Sequence, residues 1–179
     1  MQKSWESRKN LSGIIIVDFI DMKEEESRKA AEEFSHCLME MVPEACGSVL
    51  VAGLGNRGIT PDALGPQAAD MVLATRHIGG EFARSTGLDD LRSTAVFTPG
   101  VLGRTGVESS ELTAGLCRTV SPAAVIAVDA LAARSSKRIA STIQIADTGI
   151  TPGSGVGNHR KALDRETLGV PVVAVGVPL

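Results

Sequence analysis

The sequence predicts a three-layer α/β/α domain built around a mostly parallel β-sheet. Segments rich in β-branched residues alternate with segments of helical periodicity, which is the pattern of a parallel sheet with crossover helices. Several strand segments are apolar throughout, as expected for strands that are covered on both faces. Aromatic residues make up only 3% of the 179 residues, so the core must be aliphatic, as suits such a sheet.

The first half of the chain contains two strand–helix units. Gly13–Ile20 is rich in β-branched residues and predicts a strand, and the amphipathic segment Lys23–Val42 predicts a helix. Ser48–Ala52 predicts the next strand. It leads into a glycine-rich turn, Gly53–Gly58, and a second helix is expected over Leu64–Arg76.

A third unit begins with a weaker strand, Ser93–Thr98, followed by a helix over Gly106–Val120. The next strand, Ala123–Val128, is entirely apolar and is expected to end abruptly at Asp129.

The last part of the chain adds two strands. Thr142–Ala146 alternates as a strand does, Asp147–Asn158 is a long glycine-rich loop, and Pro171–Val177 is an apolar strand. Neither an internal repeat nor a linker is evident, so we expect one domain over residues 1–179.

Composition narrows the function classes. A net charge of -3 provides no field to attract nucleic acid, and no stretch of 18 apolar residues is present to span a bilayer. The apolar run Ile14–Val17 is followed by Asp18 and Asp21, which is too short and too acidic for a signal peptide. Three cysteines without C-x-x-C spacing indicate reduced thiols. We therefore expect a cytoplasmic protein that binds neither nucleic acid nor membrane.

In parallel α/β sheets, ligands bind beyond the carboxyl ends of the strands. This rule directs attention to the loops that follow the predicted strands. Four loops are expected at one edge: Gly53–Gly65, Pro99–Thr105, Asp129–Arg134 and Asp147–Asn158.

The first of these loops contains Gly53-Leu-Gly-Asn-Arg-Gly58, which formally matches the dinucleotide fingerprint G-x-G-x-x-G. In a true fingerprint the third glycine already lies in the helix. Here Pro61 and Pro66 delay the helix until about Leu64, so the loop is too long for a nucleotide turn. It presents Asp62 near the start of that helix instead.

Asp62 and Asp129 are the two candidate catalytic residues. Asp62 has a second interpretation as a helix N-cap. Asp129 directly follows a buried strand, where an unused carboxylate would be costly. Two carboxylates that meet over a sheet do not both ionise easily, so one can hold a proton while the other activates water.

Other polar residues near these loops have two interpretations each. Glu108 and Glu111, three residues apart, either assist the reaction or complement a helix dipole. His159, with Arg160 and Lys161, either forms a solvated basic turn or holds an acidic group of the substrate.

Four sequence blocks resemble the bacterial spore germination proteases, in that family's order and approximate spacing. Together they cover roughly residues 49 to 178. The blocks are Val51-Ala-Gly-Leu-Gly-Asn-Arg-Gly-Ile-Thr-Pro-Asp-Ala-Leu-Gly-Pro66, Thr98-Pro-Gly-Val-Leu-Gly-Arg-Thr-Gly-Val-Glu-Ser-Ser-Glu111, Val128-Asp-Ala-Leu-Ala-Ala-Arg134 and Thr142-Ile-Gln-Ile-Ala-Asp-Thr-Gly-Ile-Thr-Pro-Gly-Ser-Gly-Val-Gly-Asn158.

The resemblance implies an endopeptidase of the spore core that hydrolyses small acid-soluble spore proteins during germination. Its two catalytic aspartates fall on Asp62 and Asp129, with no cofactor. The implied fold is phosphorylase/hydrolase-like and similar to that of hydrogenase maturation endopeptidases. Five further residues are candidates for oxyanion stabilisation or substrate positioning: Asn56, Glu108, Glu111, Arg134 and His159.

The chain departs from the family pattern in length. Family members are about twice as long, begin with a removable propeptide and form tetrameric zymogens, so a homo-oligomer and propeptide control are expectations only. Two alternative functions stay open. One is a metal-sensing peptidase of the hydrogenase maturation type, and the other is a catalytically silent member that keeps the fold for binding or assembly.

Overall fold

The computed structural model describes residues 7–9, 14–18, 24–43, 47–133, 136, 139–153 and 160–179. Within these ranges the chain forms a seven-stranded sheet with the spatial order β1-β2-β6-β7-β5-β3-β4. The strands are β1 (Ser7–Lys9), β2 (Ile14–Asp18), β3 (Val49–Leu54), β4 (Thr94–Gly100), β5 (Ala124–Leu131), β6 (Thr142–Ala146) and β7 (Val172–Pro178).

Most strands of this sheet run in one direction. β4, β3, β5 and β7 form a parallel group, and β2 points the same way because it is antiparallel to β6, which is itself antiparallel to β7. The prediction of a mostly parallel sheet is confirmed. The short strand β1 was not predicted.

The direction of β6 corrects one prediction. Because β6 is antiparallel to β7, it points away from the edge at which the parallel strands end. The segment that begins at Asp147 therefore does not leave the sheet at that edge, as the alternation of strands and helices suggested. The prediction failed because an alternating strand pattern carries no information on direction.

Helices cover both faces of the sheet. On one face, α1 (Glu24–Met41) contributes Ala30 and Cys37 to an apolar cluster with Val49 and Val51 of β3. On the other face, α5 (Ser109–Val120) and α6 (Arg165–Leu168) pack on Leu50 and Ala52 of the same strand. Since successive β3 residues point to opposite faces, these two clusters are the two cores of a three-layer α/β/α fold. The predicted layer arrangement is confirmed.

The remaining helices are α2 (Leu64–Asp70), α3 (Gly80–Thr86) and α4 (Leu102–Thr105). The predicted helix Leu64–Arg76 is thus too long, because Met71 and Leu73 are exposed and further turns would have no core to cover. Helix α3 was not predicted.

The predicted helix Gly106–Val120 is also too long, at its start. Gly106 has a positive φ of 70° and terminates α4, and α5 begins only at Ser109.

The central strands extend further than predicted. β3 includes Gly53 and Leu54, for which the sequence predicts a turn. β5 continues through Asp129 to Leu131, because β7 pairs with it as far as Pro178. β3 leaves β5 after the pair Gly53–Val128, however, so Asp129 is the first β5 residue without a β3 neighbour. Asp129 therefore lies inside a strand but at the edge of the β3–β5 pairing.

Candidate active site

The loop between β3 and α2 is shaped by its own backbone. Gly55 has a positive φ of 112°, and a Cβ atom there would lie 2.2 Å from the carbonyl oxygen of Asp62. Only glycine combines this conformation with so close an approach. The loop consequently folds back on itself, so that Asp62 lies against the end of β3.

Asp62 ends a short 3₁₀ turn, Thr60–Asp62, that directly precedes α2. The backbone N–H of Asn56 donates to both the carbonyl oxygen of Asp62, at 2.9 Å, and its side-chain Oδ2, at 2.8 Å. The side chain caps neither the turn nor α2 through a hydrogen bond. Asp62 is half-buried, so solvent reaches part of its carboxylate.

Asp129 lies in a different environment. It is only 6% exposed, and its Oδ1 accepts a hydrogen bond from the backbone N–H of Ala130 at 2.9 Å. The pKa of Asp129 is raised to about 7, mainly by burial. The nearby charge of Asp62 contributes to this rise, whereas the Ala130 hydrogen bond and the Arg160 guanidinium oppose it. Asp129 therefore titrates near neutral pH.

The close packing of α2 on the sheet brings the two aspartates together. A Cβ atom on Gly65 would lie 2.2 Å from the carbonyl oxygen of Leu54 and 2.4 Å from that of Val128. Gly65 thus sits between the ends of β3 and β5, and the 3₁₀ turn that carries Asp62 contacts β5. The electrostatic influence of Asp62 on Asp129 follows from this arrangement.

The carboxyl ends of β3 and β5, where the two aspartates lie, also have a distinct place in the strand order of the sheet. The chain leaves β3 on one side to form β4 and returns to the other side of β3 to form β5. The carboxyl ends of β3 and β5 therefore flank the topological switch point, where open α/β sheets bind their ligands.

A cleft of about 470 Å³ extends from this position toward β4. It is open to solvent, since Arg57, Thr98 and Arg104 on its walls are exposed. Its lining residues come from the β3–α2 loop, the start of α2, the end of β4 and the segment through α4. They are Gly55, Asn56, Arg57, Pro66, Thr98, Pro99, Gly100, Val101, Arg104 and Thr105.

Of the five further candidate residues, Asn56 lines the cleft. Its backbone N–H is already bonded to Asp62, and its side-chain Oδ1 accepts the backbone N–H of Gly58 at 3.0 Å. Glu111 uses its Oε2 to accept the backbone N–H of Glu108 at 3.2 Å, so both residues cap the N-terminus of α5. Arg134 and His159 lie outside the described residues.

Two features of the site were not predicted. Arg160 is close enough to lower the pKa of Asp129, although the sequence places it 31 positions away. Arg57 binds Asp70 of α2 and so ties the β3–α2 loop to that helix. The sequence showed both residues as members of polar segments but gave no sign of their partners.

Two features are absent from the described residues. Among these residues there is no group of three or more His, Cys, Asp or Glu side chains that could hold a metal ion. No helix there is both long enough and apolar enough to cross a membrane.

The fold belongs to a class of α/β proteins already seen in solved structures. The chain is similar to a NiFe hydrogenase maturation protease, HycI, from Thermococcus kodakarensis KOD1, with a TM-score of 0.50 and 22% sequence identity. The match covers 79% of this chain and 80% of that protein. At this identity the likeness concerns the fold alone, and it confirms the fold that the sequence predicted.

The family follows from the sequence comparisons. A family model described as germination protease matches residues 12–179, and the chain belongs to this family. Germination proteases of Bacillus cereus (strain G9842) and Bacillus subtilis (strain 168) are 48% and 49% identical to it over 158 residues. These alignments cover 88% of this chain but only 43% of each relative, so the chain spans less than half the length of these proteins.

Proposed function

We propose that this chain is an endopeptidase domain of the germination protease type, in which Asp62 and Asp129 hydrolyse the peptide bond. The observation that carries the proposal is the pairing of a buried aspartate, whose pKa is about 7, with a second, partly solvated aspartate at the topological switch point. Two carboxyl groups in unlike environments can act as general acid and general base near neutral pH, because one holds a proton while the other is ionised.

The two environments suggest a division of roles. Below about pH 7 the buried Asp129 holds a proton, so it is the general acid that protonates the leaving amine nitrogen. Asp62, which solvent reaches, is the base that takes a proton from the attacking water as its oxygen bonds to the carbonyl carbon. The C–N bond breaks as Asp129 transfers its proton, and both carboxyl groups then exchange protons with solvent to restore the starting state.

Asn56 is the proposed source of oxyanion stabilisation. Its Oδ1 is held by the N–H of Gly58, which leaves the Nδ2 group of the same amide to donate to the tetrahedral oxyanion. The backbone N–H of Asn56 is bonded to Asp62 and is not available for this role.

Small acid-soluble spore proteins are the proposed substrates, and the spore core is the proposed location. Both follow from the germination protease name of the relatives and from the resemblance of the four sequence blocks. The open cleft, which is lined by Asn56 and not by the two aspartates themselves, has room for an extended peptide segment. A homo-oligomer, as in the family, is part of the same proposal.

Digestion of a purified small acid-soluble spore protein tests the proposal. The native chain is compared with Asp62→Asn and Asp129→Asn, with and without a chelator. Asp90→Asn is the matched control, because it makes the same chemical change at an exposed position before β4.

We expect the native chain and Asp90→Asn to cleave the substrate equally with chelator present, and each site variant to lose at least about a hundredfold in kcat. Chelator-sensitive cleavage would instead favour the metal-dependent alternative. A folded native chain that cleaves nothing would favour the silent one.

A further inference from the structure

The side chain of Arg57 bridges the β3–α2 loop and helix α2. Its Nη1 donates to Asp70 Oδ2, and its Nη2 donates to Asp70 Oδ1 at 2.8 Å. Nη2 also donates to the carbonyl oxygen of Pro66 at 3.4 Å. The Arg57 hydrogen bond lowers the pKa of Asp70, so the pair stays ionised over a wide pH range. The loop is thereby tied to the first and the last turn of α2.

The loop segment held in this way is the one that orients Asp62. Asn56, the residue next to Arg57, donates its backbone N–H to Asp62 Oδ2 at 2.8 Å. Its side chain is in turn fixed by Gly58, the residue on the other side of Arg57. A movement of Arg57 would therefore displace the donor that sets the direction of the Asp62 carboxylate.

We propose that Arg57 and Asp70 are positioning residues, which hold the β3–α2 loop so that Asp62 keeps its catalytic orientation. This inference rests on the proposed function. It assigns the ion pair no contact with the reacting atoms. The pair acts through Asn56.

A purely stabilising role is a weak explanation for this pair. Both side chains are about half exposed, at 54% for Arg57 and 53% for Asp70. Exposed pairs contribute little to the free energy of unfolding, because water and salt screen them. A bidentate pair does, however, fix geometry, and lysine cannot reproduce its two parallel hydrogen bonds.

Two readouts test the proposal: the kinetics of substrate cleavage and amide hydrogen exchange at Asn56. The variants are Asp70→Asn, Arg57→Lys and the charge swap Arg57→Asp with Asp70→Arg. The matched control is Glu40→Gln, which removes the negative charge from an exposed i,i+4 pair on α1, in which Glu40 Oε1 lies 3.4 Å from His36 Nε2.

In Asp70→Asn and Arg57→Lys we expect kcat to fall roughly tenfold with little change in Tm, because misplacement of a catalytic group is costly. The Asn56 amide should exchange faster, and the charge swap should recover part of both losses. In the native chain, 1 M salt should lower kcat toward that of the single variants. Glu40→Gln should leave kcat and Asn56 exchange unchanged.

The exchange measurement separates this inference from the proposed function. If the native chain cleaves nothing, faster exchange at Asn56 in Asp70→Asn would still support the inference that the Arg57–Asp70 pair holds the β3–α2 loop. If Asn56 exchange and kcat are unchanged in both single variants, the pair is an ordinary surface contact and the inference is wrong.

Discussion

The two sides of the switch point hold their aspartates by different means. On the β3 side, Asp62 sits in a solvent-accessible turn whose shape is set by backbone hydrogen bonds and by close packing around Gly55. On the β5 side, Asp129 lies within a regular strand and is almost fully buried. Steric fit determines the first position, and desolvation determines the properties of the second.

This difference shows how one residue type acquires two different protonation behaviours, on which the two proposed roles rest. A carboxyl group in contact with water is stable as an anion, whereas a buried one favours its neutral form. The sheet supplies the buried position, and the loop supplies the exposed one. Substitutions that change a buried carboxyl group should therefore alter stability in a pH-dependent way. Substitutions that disturb packing should alter it equally at every pH.

The largest expected effect concerns burial and is seen in Asp129→Asn. The pKa of Asp129 is about 7 in the folded protein and 3.8 for an unperturbed carboxyl group. Between these values the folded state binds a proton that the unfolded state lacks, so rising pH lowers the free energy of unfolding. At about 1.4 kcal/mol per pKa unit, the loss approaches the order of 4 kcal/mol above pH 7.

Asparagine cannot ionise, so the variant should escape this loss. We expect Asp129→Asn to match the native chain in stability near pH 4 and to exceed it at pH 8, although it loses catalysis. Urea unfolding at a series of pH values measures the difference, with Asp90→Asn as the control. Equal stability of the native chain and Asp129→Asn at pH 8 would contradict the proposed desolvation of Asp129.

The next effect concerns packing and is seen in Gly65→Ala. The added Cβ would meet two backbone carbonyl oxygens within 2.4 Å, and neither can move without separating α2 from β3 and β5. We expect a loss of roughly 3 kcal/mol of stability that is the same at pH 5 and pH 8.

Gly80→Ala is the matched control for this packing effect. Gly80 begins α3 and has no atom within 4 Å of its would-be Cβ, so alanine should be neutral or slightly stabilising there. If Gly65→Ala were as stable as Gly80→Ala, the tight junction between α2 and the two strands would be excluded.

The contrast between the two sides also explains what the sequence could predict. The position of Asp129 at the carboxyl edge of the sheet followed from four apolar residues before it, since hydrophobic pattern is a local property. Asp62 is proposed from its loop and the family resemblance, whereas its contact with Asn56 depends on a turn that the glycine pattern did not define. The strand ends were misplaced because each strand extends as far as its neighbour pairs with it.

The sequence did not predict contacts between residues that are distant along the chain. The antiparallel direction of β6, the Arg57–Asp70 pair and the approach of Arg160 to Asp129 all depend on how distant segments pack. Charged residues such as Arg57 and Arg160 occur in polar segments of every kind, so their presence alone does not identify a partner.

The smallest expected effect tests one such partner. The Arg160 guanidinium lowers the pKa of Asp129, in opposition to burial, and is the smallest of its causes, so Arg160→Gln should raise that pKa slightly. The adjacent variant Lys161→Gln removes the same charge from an exposed side chain that has no resolved effect on Asp129, and should leave its pKa unchanged. Carboxyl-carbon NMR titration of Asp129 measures both. An equal shift in the two variants would mean that general positive charge acts on Asp129, and the asymmetry between the aspartates would then rest on burial and Asp62 alone.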